Sequence, residues 1–136
     1  MFITADHGQV YIPEGQFHDL SQDTELLSTL AAPPTGDSRA VVMYPSDREK
    51  LREVAQARFG STSVLVESSE ALKKGFFGNN GRRQGFESRI GELIALPHQA
   101  HSYAYRYPAY DYPSMRGNHG GLTLEELIVP LIAFEL

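Results

Sequence analysis

Positions 40–60 read Ala-Val-Val-Met-Tyr-Pro-Ser-Asp-Arg-Glu-Lys-Leu-Arg-Glu-Val-Ala-Gln-Ala-Arg-Phe-Gly. The apolar run from Ala40 to Tyr44 predicts a buried strand, which the following proline ends. Ser46, with Glu49 three residues later, predicts a capped helix start, and Gly60 is placed to end that helix in the left-handed conformation. Four apolar residues recur at helical spacing and predict its buried face: Leu51, Val54, Ala55 and Phe59. The stretch therefore predicts a strand, a turn and an amphipathic helix.

Further elements of the same kind follow this stretch. The sequence predicts three more strands (Ser63–Glu67, Glu92–Leu96 and Ser102–Tyr107) and a short helix (Ser69–Lys74) that a glycine ends. Residues 38 to about 108 thus predict a β-α-β-α-β-β unit. We interpret residues 37–112 as an inserted α+β subdomain between two core segments, residues 1–36 and 113–136.

The two flanking segments carry weaker patterns. In the first, the sequence predicts a strand that ends at Thr4, a second strand at Gln9–Ile12, a helix that starts near Asp23 and a linker at Thr35–Ser38. In the last, Thr123 and Glu126 predict a capping box for a short helix, and residues 131–136 predict a final strand. The end of the chain is therefore expected to return to the sheet in which it starts.

The composition narrows the function classes. The 136 residues include no cysteine, so disulfides and thiolate metal sites are excluded, and a zinc site must use histidine and carboxylate. Lys and Arg total 12 against 17 Asp and Glu, and this net charge of -5 disfavours a dedicated nucleic-acid surface. No apolar run has the length of a membrane span, and no secretory signal precedes the first motif. We expect a cytoplasmic protein with neither membrane nor specific nucleic-acid partners.

Histidine motifs lie near both ends of the chain. Asp6 and His7 follow an apolar strand, and Gly8 lets the backbone turn so that both side chains can face one ion. His119 is flanked by glycines, which leave its imidazole unobstructed. Each motif alone is also compatible with an ordinary polar turn. Together they indicate metal ligands near the ends of strands.

These motifs resemble those of a known family. Residues 4–8 (Thr-Ala-Asp-His-Gly) and 116–131 (Arg-Gly-Asn-His-Gly-Gly-Leu-Thr-Leu-Glu-Glu-Leu-Ile-Val-Pro-Leu) resemble the closing motifs of the alkaline phosphatase superfamily, most closely its type I phosphodiesterase/nucleotide pyrophosphatase group. Residues 33–36 and 76–78 are similar to the same group, so the resemblance covers nearly the whole chain. It implies an α/β fold that forms the C-terminal part of an alkaline-phosphatase-like core sheet with the inserted subdomain.

The resemblance also implies a metal-dependent phosphoric ester hydrolase. In that family two divalent ions, commonly zinc, bind the transferred phosphoryl group beside a Ser or Thr nucleophile. Manganese and magnesium are alternatives. By resemblance, Asp6 and His7 are ligands of the ion that activates the nucleophile, and His119 is a ligand of the ion that stabilises the leaving oxygen. The substrate of the full-length protein is expected to be a small phosphate ester or a nucleotide.

The chain also departs from the family pattern. The nucleophile, a further Asp ligand and an Asp-x-x-x-His pair are expected upstream of the first motif, and no Asp here has His four positions later. We therefore interpret the chain as the C-terminal portion of such an enzyme, with no catalytic nucleophile, weak metal binding and little or no activity alone. The shortened first strand predicts an unpaired sheet edge and hence self-association.

Other residue groups are further candidates for a metal or ligand site. The pair His98 and His101 follows a proline and lacks an acidic partner, and Glu14 with His18 lies in a predicted loop, so neither is assigned a metal. Alternating tyrosines at positions 103, 105 and 107 could stack a nucleobase, but core packing is favoured. A non-catalytic α+β binding or interaction module remains the alternative function, because the unit around residues 40–75 has all the signals needed to fold by itself.

Overall fold

The computed structural model describes residues 1–78, 83–110 and 115–135. The predicted domain boundary between residues 112 and 113 lies outside these ranges. The described helices are α1 (Thr24–Ser28), α2 (Arg48–Phe59), α3 (Ser68–Lys73) and α4 (Leu124–Leu127). The described strands are β1 (Phe2–Thr4), β2 (Val10–Tyr11), β3 (Phe17–Asp19), β4 (Thr35–Asp37), β5 (Ala40–Met43), β6 (Ser63–Glu67), β7 (Leu93–Pro97), β8 (Ser102–Ala104), β9 (Gly117–Asn118) and β10 (Leu131–Ala133).

A four-stranded antiparallel sheet forms the centre of the molecule, in the order β4-β5-β7-β6. Its longest pairing runs from Ser63 opposite Pro97 to Glu67 opposite Leu93. Three of its strands were predicted, and they are confirmed to within about one residue at each end. The predicted linker at 35–38 is instead the edge strand β4, because its backbone pairs with β5 through a tight turn. The sequence of this strand, Thr-Gly-Asp, has no apolar pattern that predicts a strand.

Helix α2 confirms the predicted strand-turn-helix arrangement, although its two ends differ from the prediction. The cap is Asp47, whose side chain accepts a hydrogen bond from the Lys50 amide at 3.1 Å. The amides of Ser46 and Asp47 both donate to the carbonyl of Thr29, at 2.8 and 3.4 Å, and the helix begins after them at Arg48. Gly60 is right-handed (φ -61°, ψ -23°) and continues the helical hydrogen bonds, so its predicted left-handed cap is wrong.

The hydrophobic core lies between one face of the central sheet and the helices α1 and α2. Residues at alternate positions of β5 and β7 meet the apolar stripe of α2, as the periods of strand and helix require. The buried cluster comprises Leu20, Leu26, Val41, Met43, Leu51, Val54, Ala55, Phe59, Leu93, Ala95 and Tyr103. All four residues of the predicted helical face belong to this core.

Three two-stranded ladders lie outside the central sheet. β1 pairs antiparallel with β10, which confirms that the end of the chain returns to its start. β2 pairs antiparallel with β9, and β3 pairs in parallel with β8. The predicted strand at 102–107 ends at Ala104, because its partner strand ends at Asp19, whose carboxylate accepts the Ser21 amide and caps a turn. The ladders therefore bring the two histidine motifs toward each other.

The observed architecture is a mixed α/β fold with several small sheets, as the sequence predicted. Within the described ranges, no helix has the length and apolar character needed to cross a membrane. The division into residues 1–36, 37–112 and 113–136 stays a prediction.

Candidate metal centre

The structure brings His7 and His119 into contact. His7 lies between β1 and β2, and His119 directly follows β9, the strand that pairs with β2. Their rings stack with centroids 3.7 Å apart at an interplanar angle of 26°. Two histidines from opposite ends of the chain thus form one half-buried pair.

Asp6 adds a carboxylate to this pair. Its Oδ1 accepts a hydrogen bond from the His7 amide at 3.1 Å, which turns the carboxylate toward the imidazole. Its Oδ2 lies 3.7 Å from Nε2 of His7. The Asp6 side chain is 88% exposed and that of His7 36% exposed, so both ligand atoms are accessible to an ion from solvent. The chain leaves the strand at Thr4, before Asp6, and the φ angle of Gly8 is one that any residue can adopt, so Gly8 serves close approach to Glu125 rather than the predicted turn.

The hydrogen bonds of His7 leave one ring nitrogen available for a metal. Nδ1 of His7 lies 2.8 Å from the carbonyl oxygen of Gly8, and because a carbonyl only accepts, Nδ1 carries the proton. Nε2 of the neutral ring therefore has its lone pair directed to the same region as the Asp6 carboxylate. Two ligands held at about 2.1 Å in tetrahedral geometry lie about 3.4 Å apart, and the 3.7 Å between Oδ2 of Asp6 and Nε2 of His7 is close to this spacing.

Asn118 fixes the backbone that leads into His119. Its Oδ1 accepts hydrogen bonds from the hydroxyls of Ser38 at 2.8 Å and Ser102 at 3.1 Å. Its amide nitrogen donates to the carbonyl of Met115 at 3.3 Å. The residue before the histidine is therefore anchored to the central unit on two sides. Among the described residues, no group of three His, Asp or Glu side chains converges closely enough to enclose an ion.

Sequence reasoning missed a buried ion pair beside the site. Glu126 closes the predicted capping box with Thr123, which is confirmed, but its carboxylate is also paired with Arg39. Burial of Glu126 disfavours its charge, yet hydrogen bonds from Arg39, Gly121 and Thr123 outweigh burial and lower the pKa of the carboxyl. The sequence indicated this ion pair only through Arg39, a charged residue directly before the buried strand β5.

A second pair of histidines in the structure consists of His18 and His101. His101 pairs with His18 and not with His98, and the His18 Nε2 to His101 Nδ1 distance is 2.9 Å. Burial lowers the pKa of both rings. The neighbouring His101 lowers that of His18 further, and Arg39 and His98 lower that of His101. One of the two facing ring nitrogens donates the hydrogen bond and the other accepts it.

The tyrosines separate into core and surface residues. Tyr103 is buried, packs edge-on against Phe59 at 4.9 Å and shares a hydrogen bond of 2.6 Å with the Thr62 hydroxyl. The predicted core packing is therefore confirmed for this residue. Tyr105 and Tyr107 contact each other edge-on beyond the end of β8, and Tyr107 is exposed.

A cavity of about 380 Å³ lies against Asn118, on the ladder that carries His119. Arg106, Arg116 and Glu14 line it, together with apolar side chains from the β2 and β3 region. The Arg106 guanidinium lies 4.6 Å from the centre of the Phe17 ring, and Nη2 of Arg116 lies 3.8 Å from Oε2 of Glu14. The cavity therefore combines two cationic side chains and one carboxylate with apolar walls.

Comparisons with known proteins show which solved structures have a similar fold. No family profile and no curated protein sequence matches the chain. Among solved structures, the chain is similar to phosphonoacetate hydrolase from Sinorhizobium meliloti in complex with phosphonoacetate (TM-score 0.62, 19% identity, 96% of this chain and 35% of that one). It is also similar to murine ectonucleotide pyrophosphatase/phosphodiesterase 5 (TM-score 0.56, 18% identity, 96% of this chain and 32% of that one).

The human form of the latter enzyme gives the same result, with a TM-score of 0.54 and 20% identity over 92% of this chain and 31% of the other. An inactive variant of the murine enzyme is in complex with AMP. These likenesses define the class of fold: the chain has an α/β architecture of the alkaline phosphatase type. It spans about a third of the length of the solved structures it matches.

Proposed function

We propose that this chain is the C-terminal portion of a metal-dependent phosphoric ester hydrolase of the phosphodiesterase/nucleotide pyrophosphatase type. The observation that carries the proposal is the contact of His7 with His119 beside the Asp6 carboxylate, in a fold shared with enzymes of that class. The contact joins the two motifs that resemble the family's ligand motifs. Two unrelated polar turns would have no reason to bring their histidine rings into contact.

In this proposal Asp6 and His7 hold one divalent ion and His119 holds a second, zinc first and manganese or magnesium as alternatives. Such ions polarise the phosphoryl oxygens and neutralise the charge that develops on them. The chain's own part is to hold the ligand atoms in place. The Gly8 carbonyl keeps the His7 proton on Nδ1, and the His7 amide orients the Asp6 carboxylate.

We propose that the rest of the fold, including the Ser or Thr nucleophile, is supplied by polypeptide that covers an exposed apolar surface. β1 and β10 are exposed on both faces although they are apolar, whereas strands of α/β sheets normally reach this composition only when both faces are covered. Soluble monomers rarely leave such a patch open. The surface consists of Phe2, Ile3, Leu124, Leu127, Ile128, Leu131 and Ile132. Alone, the chain is expected to be inactive or nearly so.

We further propose a small phosphate ester or nucleotide as substrate of the full-length protein. The similar structures hold AMP or phosphonoacetate, which supports a ligand of this kind. The absence of cysteine supports a cytoplasmic location.

Zinc titration followed by NMR of the imidazole signals tests the site. We expect Zn²⁺ to shift the His7 and His119 signals together, with weak affinity because so few ligands are present. Asp6→Asn should weaken the response, whereas His98→Gln, which alters an exposed imidazole outside both motifs, should leave it unchanged. A zinc response confined to His18 and His101, or none, would contradict the proposal and favour the non-catalytic α+β module.

Turnover and association test the part played by missing polypeptide. The chain alone should hydrolyse neither bis-p-nitrophenyl phosphate nor p-nitrophenyl phosphate at a measurable rate with Zn²⁺ or Mn²⁺. It should bind a hydrophobic dye and self-associate in sedimentation, and Ile132→Asp should reduce both effects. Efficient turnover by the isolated chain, or a monomer that binds no dye, would overturn the proposal that further polypeptide completes the enzyme.

A further inference from the structure

Glu126 contacts the backbone of both histidine motifs. Its main-chain oxygen accepts a hydrogen bond of 2.9 Å from the amide of Gly8, the residue after His7. Its side-chain Oε1 accepts a hydrogen bond of 2.8 Å from the amide of Gly121, two residues after His119. One residue thus holds the segments that carry both rings.

Arg39 fixes the orientation of this carboxylate. Its Nε donates to Oε1 of Glu126 at 2.7 Å and its Nη2 donates to Oε2 at 3.0 Å, in a two-pronged pair. The other guanidinium hydrogens donate to the carbonyls of Pro97, Gln99 and His101 at 3.2, 2.8 and 2.7 Å. Arg39 is fully buried. Because every donor direction of the planar guanidinium is used, the arginine cannot rotate without breaking several bonds.

Two glycines let the motif backbones approach Glu126. A Cβ at Gly8 would overlap the carbonyl oxygen of Glu125, and one at Gly121 would lie 2.7 Å from Oε2 of Glu126. No larger residue fits at these two positions without moving a histidine segment away from Glu126.

The capping box alone does not require this arrangement. Thr123 donates its hydroxyl hydrogen to Oε2 of Glu126 at 2.8 Å, and such a box forms equally well on a solvent-exposed helix end. Burying a carboxylate costs free energy unless a charged partner and further hydrogen bonds compensate it. The structure provides this compensation where Glu126 contacts the backbone of both motifs.

We propose that Glu126, anchored by Arg39, is a positioning residue that sets the separation of His7 and His119. This inference rests on the proposed function only where it says what the separation is for, since the contact between the two rings is a feature of the chain itself. Removing a group that orients a metal ligand typically weakens metal binding by roughly 10- to 100-fold.

The test measures the ring contact and the fold separately. The nuclear Overhauser effect (NOE) between the His7 and His119 ring protons reports the contact, and amide exchange in β6 and β7 reports the fold. In Glu126→Gln we expect the ring effect to be lost and the zinc affinity to fall at least about tenfold. Exchange protection in β6 and β7 should stay within error. Glu125→Gln, which removes the same charge from the exposed neighbouring residue, is the matched control and should change neither.

A double variant keeps the test decisive if the single variant unfolds. Arg39→Met with Glu126→Leu replaces the buried pair by apolar side chains, an exchange that proteins often tolerate. A folded double variant that loses the ring contact supports positioning. A double or single variant that retains both the ring contact and the wild-type zinc affinity overturns it. If wild-type protein binds no zinc, the proposed function fails, whereas the dependence of the ring contact on Glu126 is still decided.

Discussion

Gly8→Ala should separate the two histidine motifs. The φ angle of Gly8 lies outside the left-handed region, so alanine is acceptable to the backbone and only space is at issue. The added Cβ would overlap the carbonyl oxygen of Glu125 and lie 2.9 Å from its carbonyl carbon. Carbon atoms in favourable contact are about 3.5 to 4.0 Å apart, so the first turn of α4 must move by about 1 Å.

The free-energy cost follows from this displacement. The Gly8 amide lies 2.9 Å from the carbonyl oxygen of Glu126, and a shift of about 1 Å breaks this hydrogen bond, which contributes about 1 kcal/mol. Forcing an extra methyl group into packed backbone costs about 1 to 3 kcal/mol. We therefore expect the free energy of unfolding to fall by about 2 to 4 kcal/mol. The stacking of His7 on His119 should be lost in the same variant.

Urea unfolding and the ring NOE measure these two effects. Gly15→Ala is the matched control: its φ of +80° strains alanine, but no atom lies within 4 Å of the added Cβ. The control should cost about 1 kcal/mol and leave the ring contact intact. If Gly8→Ala costs no more than Gly15→Ala and keeps the His7 to His119 contact, the reasoning about close approach is wrong.

Three further predictions concern the buried polar groups. The pKa of Glu126 is lowered from 4.5, so its contribution to the free energy of unfolding is present above pH 4.5 and should be lost as the pH falls below it. The pKa values of His18 and His101 are lowered from 6.5, so their contribution is complete above pH 6.5 and declines below it; His18→Gln should flatten the urea-unfolding profile between about pH 7.5 and 5.5. Thr62→Val leaves the Tyr103 hydroxyl without its partner and should cost about 1 to 2 kcal/mol in urea unfolding.

Each of these predictions has a control on an exposed residue. Glu125→Gln should leave the acid limb of the profile unchanged, whereas Glu126→Gln should remove part of it. His98→Gln removes only the last and smallest of the three causes that lower the pKa of His101, and should change the slope between pH 7.5 and 5.5 less than His18→Gln does. Thr35→Val removes a hydroxyl that lies 3.2 Å from the exposed Tyr44 hydroxyl and should cost less than Thr62→Val. Equal effects in a control and its buried counterpart would show that burial is not the cause.

The central unit was largely predictable because its signals are local. Residues 40–60 carry strand composition, a turn and a helical apolar face within one short stretch, and the structure buries all four residues of that face. Helix caps were less predictable. Ser46 and Asp47 are both residues that favour a helix N-cap, and the local sequence does not decide that Asp47 caps α2.

The candidate site was predictable only as two separate halves. Asp6, His7 and His119 were selected from their neighbouring glycines and from a family resemblance, and their assignment to two metal ions stays a prediction. The contact between the two rings depends on the pairing of β1 with β10 and of β2 with β9. Such pairing joins residues far apart in the chain, and no local period encodes it.

The sequence by itself determined three of the four strands of the central sheet and the helices α2 and α3, together with the absence of thiolate chemistry and the residue types available as ligands. Tertiary structure alone decided that His7 stacks on His119, that His101 pairs with His18, and that Arg39 meets Glu126. The physical reason is the range of the interactions. Propensity and apolar period act over a few neighbouring residues, whereas a buried ion pair or ring contact forms only where the whole fold excludes water and brings distant backbone together.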